Sequence, residues 1–270
     1  ANSINWGRLA PQIVYYVSAY CDLLKREGDY LKDGFNIVVP TGNFGNILAA
    51  YYAKKMGLPV GKLVCASNSN NVLTEFFADG TYDANREFFK TVSPSMDILI
   101  SSNLERLVFE LSNRNCELTA SRMAELKKVG KYSLSAQEKK VLDKEFFADY
   151  CDEEECFETI LEMFEEYGYL LDTHTAVAMK VAQGYIDYSE TDCATVVLST
   201  ASPYKFTQDV LKAISGKMQK DPFVAASTLN ELTAAPIPEQ LLSLKKKEVR
   251  FHDVIERTET LNAVMQFVEK

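Results

Sequence analysis

The sequence lacks the features that mark membrane and secreted proteins. No apolar run approaches the ~18 residues that a membrane-spanning helix requires, and no signal peptide is visible. The chain begins at Ala1 without an initiator methionine, and its first residues already form an ordered-looking motif. We therefore expect a fragment of a longer protein or a processed form, with no membrane as partner.

Cysteine and histidine are too sparse to build a disulfide framework or a metal site. The six cysteines include no CxxC pair and no spacing typical of a disulfide network, and the chain has only two histidines. These observations predict reduced thiols, no bound metal and a cytoplasmic location.

The chain also has fewer positively charged than negatively charged residues. With 29 Lys and Arg against 38 Asp and Glu, the net charge of −9 argues against nucleic acid or an anionic membrane as partner, although a small anionic substrate could bind locally. Hydrophobic residues at 47% and charged residues at 25% are ordinary globular values. A chain of 270 residues can bury a substantial core as one large or two small domains.

The segment PTGNFGN, residues 40–46, lies between a predicted strand and a predicted helix. Residues 35–39 are apolar and β-branched, whereas residues 47–53 are good helix formers that precede a plausible cap at Gly57. A strand, glycine turn and helix in this order direct unpaired backbone N–H groups and the positive end of the helix dipole to one point. The pattern predicts that an anion, most naturally a phosphate, binds there.

Two familiar phosphate loops are excluded by the same segment. No Lys-Ser/Thr pair follows the glycines, as a Walker loop requires, and the spacing of Gly42 and Gly45 lacks the first pair of a dinucleotide fingerprint. A tight turn without any ligand is an equally common reading of a strand-glycine-helix junction and stays open here.

Alternating strands and helices predict an α/β fold with an open, mainly parallel sheet and flanking helices. Further buried strands are predicted at 62–66 and 194–198, and helices at 72–78, 98–111 and 175–186, with capping residues at 101–103. Residues 113–168 contain no strand-like run, so we interpret them as a helical insert on the surface. The acidic cluster at 152–166 is expected to be a solvated helix face.

Five segments, in this order, resemble the threonine synthase family: NSINWGR (2–8), PTGNFGN (40–46), SPSMDILISSNLER (93–106), DTHTAV (172–177) and LSTASPYKF (198–206). The resemblance implies a pyridoxal-phosphate (PLP) enzyme of the tryptophan-synthase-β fold type, also called PLP fold type II, seen through its C-terminal portion. It further implies that residues 1–112 and 169–270 form the PLP-binding α/β domain, whose N-terminal part is missing from this chain, around the insert at 113–168.

The resemblance also implies the cofactor-binding residues. Thr200 would offer its hydroxyl to the pyridine nitrogen, and the glycine turn would wrap the cofactor phosphate. The residues of that turn are Gly42, Asn43, Phe44, Gly45 and Asn46. The family motif has His where this chain has Ser202 and a small or positively charged residue near Tyr204, while Thr200, Lys205 and Phe206 match.

The resemblance also implies that Asn5 and Arg8 bind the phosphate of the substrate, and amide and guanidinium groups near a helix start suit that ligand. The alternative is an ordinary capping cluster of Asn2, Ser3 and Asn5 with a surface arginine. His174 is expected to be a structural hydrogen-bonding residue and not a catalytic base.

The implied reaction converts O-phospho-L-homoserine and water to L-threonine and phosphate. The Schiff-base lysine is expected upstream of Ala1, so the catalytic residue is absent from this chain, and the fragment alone is expected to be inactive. The alternatives are another PLP enzyme of fold type II, such as a threonine dehydratase, a synthase-like homologue that acts on a different phosphorylated hydroxyl compound, or a non-catalytic module that binds a phosphate ligand or a partner. The sequence leaves the oligomeric state open.

Overall fold

The computed structural model describes residues 5–27, 31, 34–190, 192–250 and 252–269. The chain divides into two compact units, one that ends at Ala235 and a second that begins at Pro236. Asn2 and Ser3, which were considered as helix caps, lie outside the described residues.

The first unit combines two sheets with flanking helices. Its strands are β1 (Phe35–Pro40), β2 (Val60–Ser67), β3 (Thr81–Asp83), β4 (Lys131–Ser133), β5 (Phe146–Tyr150) and β6 (Ala194–Val197). Its α-helices are α1 (Trp6–Leu9), α2 (Ile13–Glu27), α3 (Gly45–Lys55), α4 (Val72–Asp79), α5 (Leu104–Leu111), α6 (Cys116–Val129), α7 (Ala136–Glu145), α8 (Glu153–Tyr167), α9 (Thr173–Ser189), α10 (Thr207–Ser215) and α11 (Pro222–Thr233). Short 3₁₀ helices cover Ala10–Gln12, Pro94–Met96 and Pro203–Phe206.

The larger sheet is parallel, with the strand order β5-β2-β1-β6. At its centre, Ile37 pairs with Leu63 on one side and with Val196 on the other. The apolar, β-branched run of β1 is almost fully buried, as expected for a parallel strand that is covered on both faces. The predicted parallel α/β fold is therefore confirmed.

Helices cover both faces of this sheet. Ile37 and Val39 belong to one core cluster with Ile47 and Leu48 of α3. Helix α9 packs against β1 and β2, yet among the described residues none of its side chains joins that cluster. Because successive side chains of a strand point to opposite faces, this division places α9 and α3 on opposite sides of the sheet.

The prediction that residues 113–168 contain no strand was wrong. This stretch includes β4, which pairs with β3, and β5, which extends the main sheet beside β2. The signal was hidden because α7 ends at Glu145 and β5 begins at the next residue, so no turn separates helix from strand. The assignment of 1–112 and 169–270 to a PLP-binding domain stays a prediction, and the structure differs from it in starting a separate unit at Pro236.

Two further expectations concern exposure to solvent. Strand β6 was expected to be buried, but its four residues are only half-buried, because it is an edge strand of the sheet. In α8, the exposed Asp152 caps the helix while Cys156 and Ile160 face the interior. The acids of α8 are therefore largely solvated, as predicted.

The second unit consists of α12 (Glu239–Leu244), a 3₁₀ helix (Arg257–Glu259) and α13 (Thr260–Val268). Within the described ranges of both units, no helix is long and apolar enough to cross a membrane.

Candidate functional site

A cavity of about 370 Å³ opens where the chain leaves the carboxyl ends of β1 and β6. This is the edge at which open α/β sheets bind ligands. Most of the residues predicted from the sequence meet here. The predicted residues that line the cavity are Arg8, Gly42, Asn43, Phe44, Gly45, Asn46 and Thr200.

The turn between β1 and α3, residues 42–46, is called the cup below. Among the described residues, no protein group accepts a hydrogen bond from the backbone N–H of Gly42, Asn43, Phe44, Gly45 or Asn46. The two glycines and Phe44 are nevertheless buried, and buried N–H groups in proteins nearly always have an acceptor. The cup therefore has the donors, at a helix N-terminus, that bind an anion.

Hydrogen bonds from a neighbouring loop hold the carbonyl groups of the cup. Oγ of Ser101 donates to the carbonyl oxygen of Gly42 at 2.7 Å. Asn103 donates to the carbonyl oxygen of Asn43 both from its backbone N–H, at 3.1 Å, and from Nδ2, at 3.0 Å. With these carbonyls bound to protein donors, the N–H groups are left for a ligand.

Phe44 adopts a left-handed conformation with φ of 62°, which is uncommon for a residue with a side chain. Its ring is 1% exposed and lies 6.1 Å from the ring of Phe77 and 6.0 Å from that of Phe146, measured between centroids. Burial of this ring stabilises the unusual backbone and fixes the start of α3. Phe44 thus contributes a backbone N–H to the cavity, and its side chain anchors the cup in the core.

Gly42 is required by a close approach of two loops. A Cβ atom at this position would lie 3.0 Å from the carbonyl oxygen of Ser95 and 3.1 Å from Cα of Met96. Both neighbours are backbone atoms of the 3₁₀ helix Pro94–Met96, which cannot rotate away as a side chain could. The motif around residue 95 therefore forms a wall against the cup.

Asn46 is fixed by Tyr16 of α2. The hydroxyl of Tyr16 lies 2.8 Å from the carbonyl oxygen of Asn46 and 2.5 Å from its Oδ1. Burial raises the pKa of Tyr16 well above its ordinary value, so this phenol keeps the proton that it donates. Since Tyr16 uses the amide oxygen of Asn46, the amide nitrogen Nδ2 is left as a donor for a ligand.

Thr200 follows β6 by three residues and is exposed. In the described part of the chain, no protein group forms a hydrogen bond with its hydroxyl. Ser202 accepts a hydrogen bond at 3.3 Å from the backbone N–H of Tyr204 and thereby caps the 3₁₀ helix Pro203–Phe206. The hydroxyl of Thr200 is thus free to meet a ligand in the cavity.

The two residues predicted to bind a substrate phosphate differ in position. Oδ1 of Asn5 accepts a hydrogen bond at 2.8 Å from the N–H of Gly7, so Asn5 caps α1, and it does not line the cavity. Arg8 does line the cavity, and the described residues offer its guanidinium no carboxylate. A ligand contact by Asn5 or Arg8 stays a prediction.

The charge of the cavity is opposite in sign to that of the whole chain. Arg8 and Lys205 line it, whereas no Asp or Glu appears among its described lining residues. Nζ of Lys205 lies 5.2 Å from the centroid of the Phe206 ring and has no acidic partner in the described ranges. The cavity is therefore suited to anionic ligands even though the net charge is −9.

Comparison with known proteins shows what the chain is similar to. A family model described as threonine synthase, C-terminal, matches residues 175–268. The crystal structure of yeast threonine synthase aligns with 100% of the chain at a TM-score of 0.85 and 34% identity. The chain resembles threonine synthases.

Two further relatives within the threonine synthase family are similar to this chain. PLP-bound threonine synthase from Brucella melitensis covers 93% of it at a TM-score of 0.78 and 36% identity. Threonine synthase-like 1 from Pongo abelii is 44% identical over 218 residues, or 80% of the chain. The chain spans 53% of the yeast structure, 48% of the Brucella structure and 29% of the Pongo protein. Its sheet and helices confirm the predicted large-domain fold of PLP enzymes of fold type II.

Some residues that line the cavity were not predicted as site residues from the sequence, although they lie in threonine synthase motifs. Ser95, Met96, His174 and Lys205 all line the cavity. His174 was expected to be structural, and it does form structural hydrogen bonds, but it does so inside the cavity. The signal available in the sequence was the position of each residue within a family motif, whereas its residue type alone gave none.

Proposed function

We propose that the chain is the C-terminal portion of a threonine synthase, a PLP-dependent lyase of threonine biosynthesis that converts O-phospho-L-homoserine and water to L-threonine and phosphate. One observation carries the proposal: the N–H groups of residues 42–46 have no described protein acceptor, although most of them are buried at a helix N-terminus. Similarity to threonine synthases supports the choice of ligand.

The residues of the cavity fit PLP. The cup would hold its phosphate through backbone N–H groups, and Thr200 would present its free hydroxyl to the pyridine nitrogen. When bound, PLP supplies an electron sink for the negative charge that develops on the substrate carbons. A hydroxyl partner, unlike a carboxylate, does not force the ring nitrogen to stay protonated, so Thr200 would moderate that sink.

The substrate phosphate is assigned to Arg8. A guanidinium group binds phosphate through paired N–H donors, and the described residues leave Arg8 without an acidic partner. In this position it would hold the substrate before reaction and stabilise the phosphate that leaves. Asn5 would support this role by capping the helix that carries Arg8, with a direct contact to the substrate kept as a prediction.

The catalytic lysine is proposed to come from a segment of the protein outside these 270 residues. Lys205 is the one lysine among the described lining residues, and its segment is not the one that carries the Schiff-base lysine in the resemblance. The chain alone should therefore form no threonine. We propose a cytoplasmic location on the cysteine spacing of the sequence, and a small-molecule substrate as the partner.

The test is an assay of the longer protein that contains this chain, supplied with PLP and O-phosphohomoserine. Threonine and inorganic phosphate should form in equal amounts. Arg8→Ala should lower kcat/KM by a factor that corresponds to roughly 2–4 kcal/mol of lost transition-state stabilisation, while PLP still binds. Arg26→Ala, which removes an exposed arginine near the end of α2, is the matched control. Failure of the longer protein to make threonine would overturn the proposal.

A second candidate is a homologue that acts on a different phosphorylated hydroxyl compound. It is favoured by the 44% identity to a protein named threonine synthase-like 1. Release of phosphate from such a compound without threonine formation would identify it. Consumption of threonine would indicate a dehydratase, and absence of both reactions with normal phosphate binding would indicate a non-catalytic binding module.

A further inference from the structure

His174 lies in the first turn of α9, is 3% exposed, and uses both ring nitrogens within the protein. Its Nε2 accepts a hydrogen bond at 3.2 Å from the backbone N–H of Ser95. Its Nδ1 lies 3.2 Å from Oδ1 of Asp172 and 3.3 Å from Oγ1 of Thr173. A backbone N–H can only donate, so Nε2 must be unprotonated and the proton of the neutral ring must reside on Nδ1.

Asp172 keeps the ring in this tautomer. It caps α9, and its Oδ1 accepts the backbone N–H of His174 at 2.9 Å. Burial by itself raises the pKa of Asp172, but the hydrogen bonds from His174 and Thr175 outweigh it and hold this pKa below its ordinary value. The carboxylate therefore stays ionised and accepts the Nδ1 proton.

His174 also contacts residues on two sides of the cavity, beside the cup and near Thr200. Ser95, which His174 holds, is pressed against Gly42 so closely that a Cβ there would lie 3.0 Å from its carbonyl oxygen. The imidazole centroid also lies 4.5 Å from that of the Phe206 ring, in the 3₁₀ helix that follows Thr200. One side chain thus contacts the wall of the cup and the segment that carries the Thr200 hydroxyl.

We propose that His174 is a positioning residue of this site, which sets the distance between the phosphate-binding cup and Thr200. The inference rests on the proposed function, since it concerns the alignment of one ligand held at both places. His174 exchanges no proton with the ligand, because Asp172 and Ser95 occupy its two nitrogens. Its effect passes through Ser95 to Gly42 and through Phe206 to Thr200.

Two substitutions separate this role from general stabilisation. The longer amide of Gln places an oxygen near the former Nε2, so His174→Gln can still accept the N–H of Ser95. His174→Asn places its amide only near the former Nδ1, so it loses the contact with Ser95 but can keep the one with Asp172. Because Asn is also the smaller amide, the melting temperature of both variants is measured beside the affinity, and a positioning role predicts weaker binding by His174→Asn at a temperature where both variants are folded.

The probes are inorganic phosphate and PLP, titrated into the longer protein that contains this chain. His174→Asn should weaken PLP binding by about fivefold, as expected for one lost hydrogen bond, and His174→Gln should restore it to within about twofold of wild type. Equal affinities for wild type and His174→Asn would overturn the inference and leave the proposed function intact. Absence of phosphate and PLP binding by the wild-type protein would overturn both.

A measurement on the wild-type protein makes the test independent of whether His174→Asn folds. The ¹⁵N chemical shifts of the imidazole report which nitrogen carries the proton. The structure requires the proton on Nδ1 and an unprotonated Nε2, before and after phosphate is added. A neutral ring that is protonated on Nε2, or one that changes tautomer when phosphate binds, would contradict a positioning role.

Discussion

Asn103 holds the carbonyl oxygen of Asn43 with two hydrogen bonds, from its backbone N–H at 3.1 Å and from Nδ2 at 3.0 Å. Asn103 itself is fully buried, so water cannot take over its side-chain contact. Because the two ends of a peptide group point in opposite directions, fixing the carbonyl of Asn43 also fixes the direction of the N–H of Phe44. The geometry of the cup is therefore determined from outside the cup.

Asn103→Ala should weaken phosphate binding by about fivefold, since loss of one neutral hydrogen bond costs about 1 kcal/mol and lets the peptide of Asn43 turn. Isothermal titration with inorganic phosphate measures the change. Asn230→Ala is the matched control, because Nδ2 of Asn230 also binds a backbone carbonyl, that of Ala235 at 2.7 Å, but outside the cavity. An equal loss of affinity in the two variants would contradict the assignment.

Gly42→Ala should weaken phosphate and PLP binding by at least roughly tenfold, about 1.4 kcal/mol. The added Cβ would stand 3.0 Å from Ser95 and 3.1 Å from Met96 in backbone contacts, so the cup must move. Gly184→Ala, in α9, is the control, because a Cβ there meets nothing within 4 Å. It should leave affinity unchanged and raise the melting temperature slightly, since alanine favours a helix. Normal affinity in Gly42→Ala would count against the cup.

Thr200→Asp should change the visible absorption spectrum of bound PLP and increase side reactions in the longer protein, because a carboxylate would hold the pyridine nitrogen protonated. Thr200→Ser keeps the hydroxyl and should behave nearly as wild type. Thr200→Asn places a side chain of the same size without the charge at the same position and serves as control. Identical spectra and product ratios for wild type and Thr200→Asp would show that Thr200 does not meet the ring.

The free energy of unfolding should depend on a buried ion pair at the start of α7. Arg122 binds Glu138 through two contacts, Nη1 to Oε1 at 2.7 Å and Nη2 to Oε2 at 2.6 Å. The hydrogen bond from Arg122 holds the pKa of Glu138 at about 2, below its ordinary value of 4.5. Glu138→Gln should lower the free energy of unfolding by roughly 3 kcal/mol at neutral pH, because it leaves the Arg122 charge buried without a partner.

The same ion pair predicts a pH dependence with a definite sign. Because the pKa of Glu138 is lowered by folding, its contribution is complete above pH 4.5 and is lost as the pH falls toward 2. Urea unfolding should therefore show wild type and Glu138→Gln converging in that interval. Asp143→Asn, which breaks an exposed pair with Lys139 on the same helix, should cost only about 0.5 kcal/mol. A constant difference between wild type and Glu138→Gln at all pH values would contradict the assignment.

The residues with strong local patterns were predictable from the sequence. The β-branched run of β1 and the glycines of the cup define a strand and a turn whatever surrounds them, and both occur as predicted. Strand β5 was missed because Phe146 follows helix α7 without a breaking residue, and its place in the sheet comes from pairing with β2. Local sequence carries no record of such long-range pairing.

Long-range contacts in the candidate site were likewise not predictable from local sequence. Asn103 was expected as a capping residue, and it does stand at the N-terminus of α5, but its side chain makes no cap and binds Asn43 instead. His174 binds Ser95, a residue 79 positions earlier in the chain. Contacts of this kind depend on how the loops fold back on the sheet, so the cup was predictable whereas the residues that fix it were not.

The central claim is that the cup binds a phosphate group through backbone N–H donors, and amide chemical shifts test it most directly. Inorganic phosphate and then PLP would be titrated into ¹⁵N-labelled protein. The account predicts saturable shifts of the Gly42, Asn43, Phe44, Gly45 and Asn46 amides, with both ligands competing for them and Gly42→Ala weakening both. Saturable shifts confined to other residues, with these amides unmoved, would contradict it.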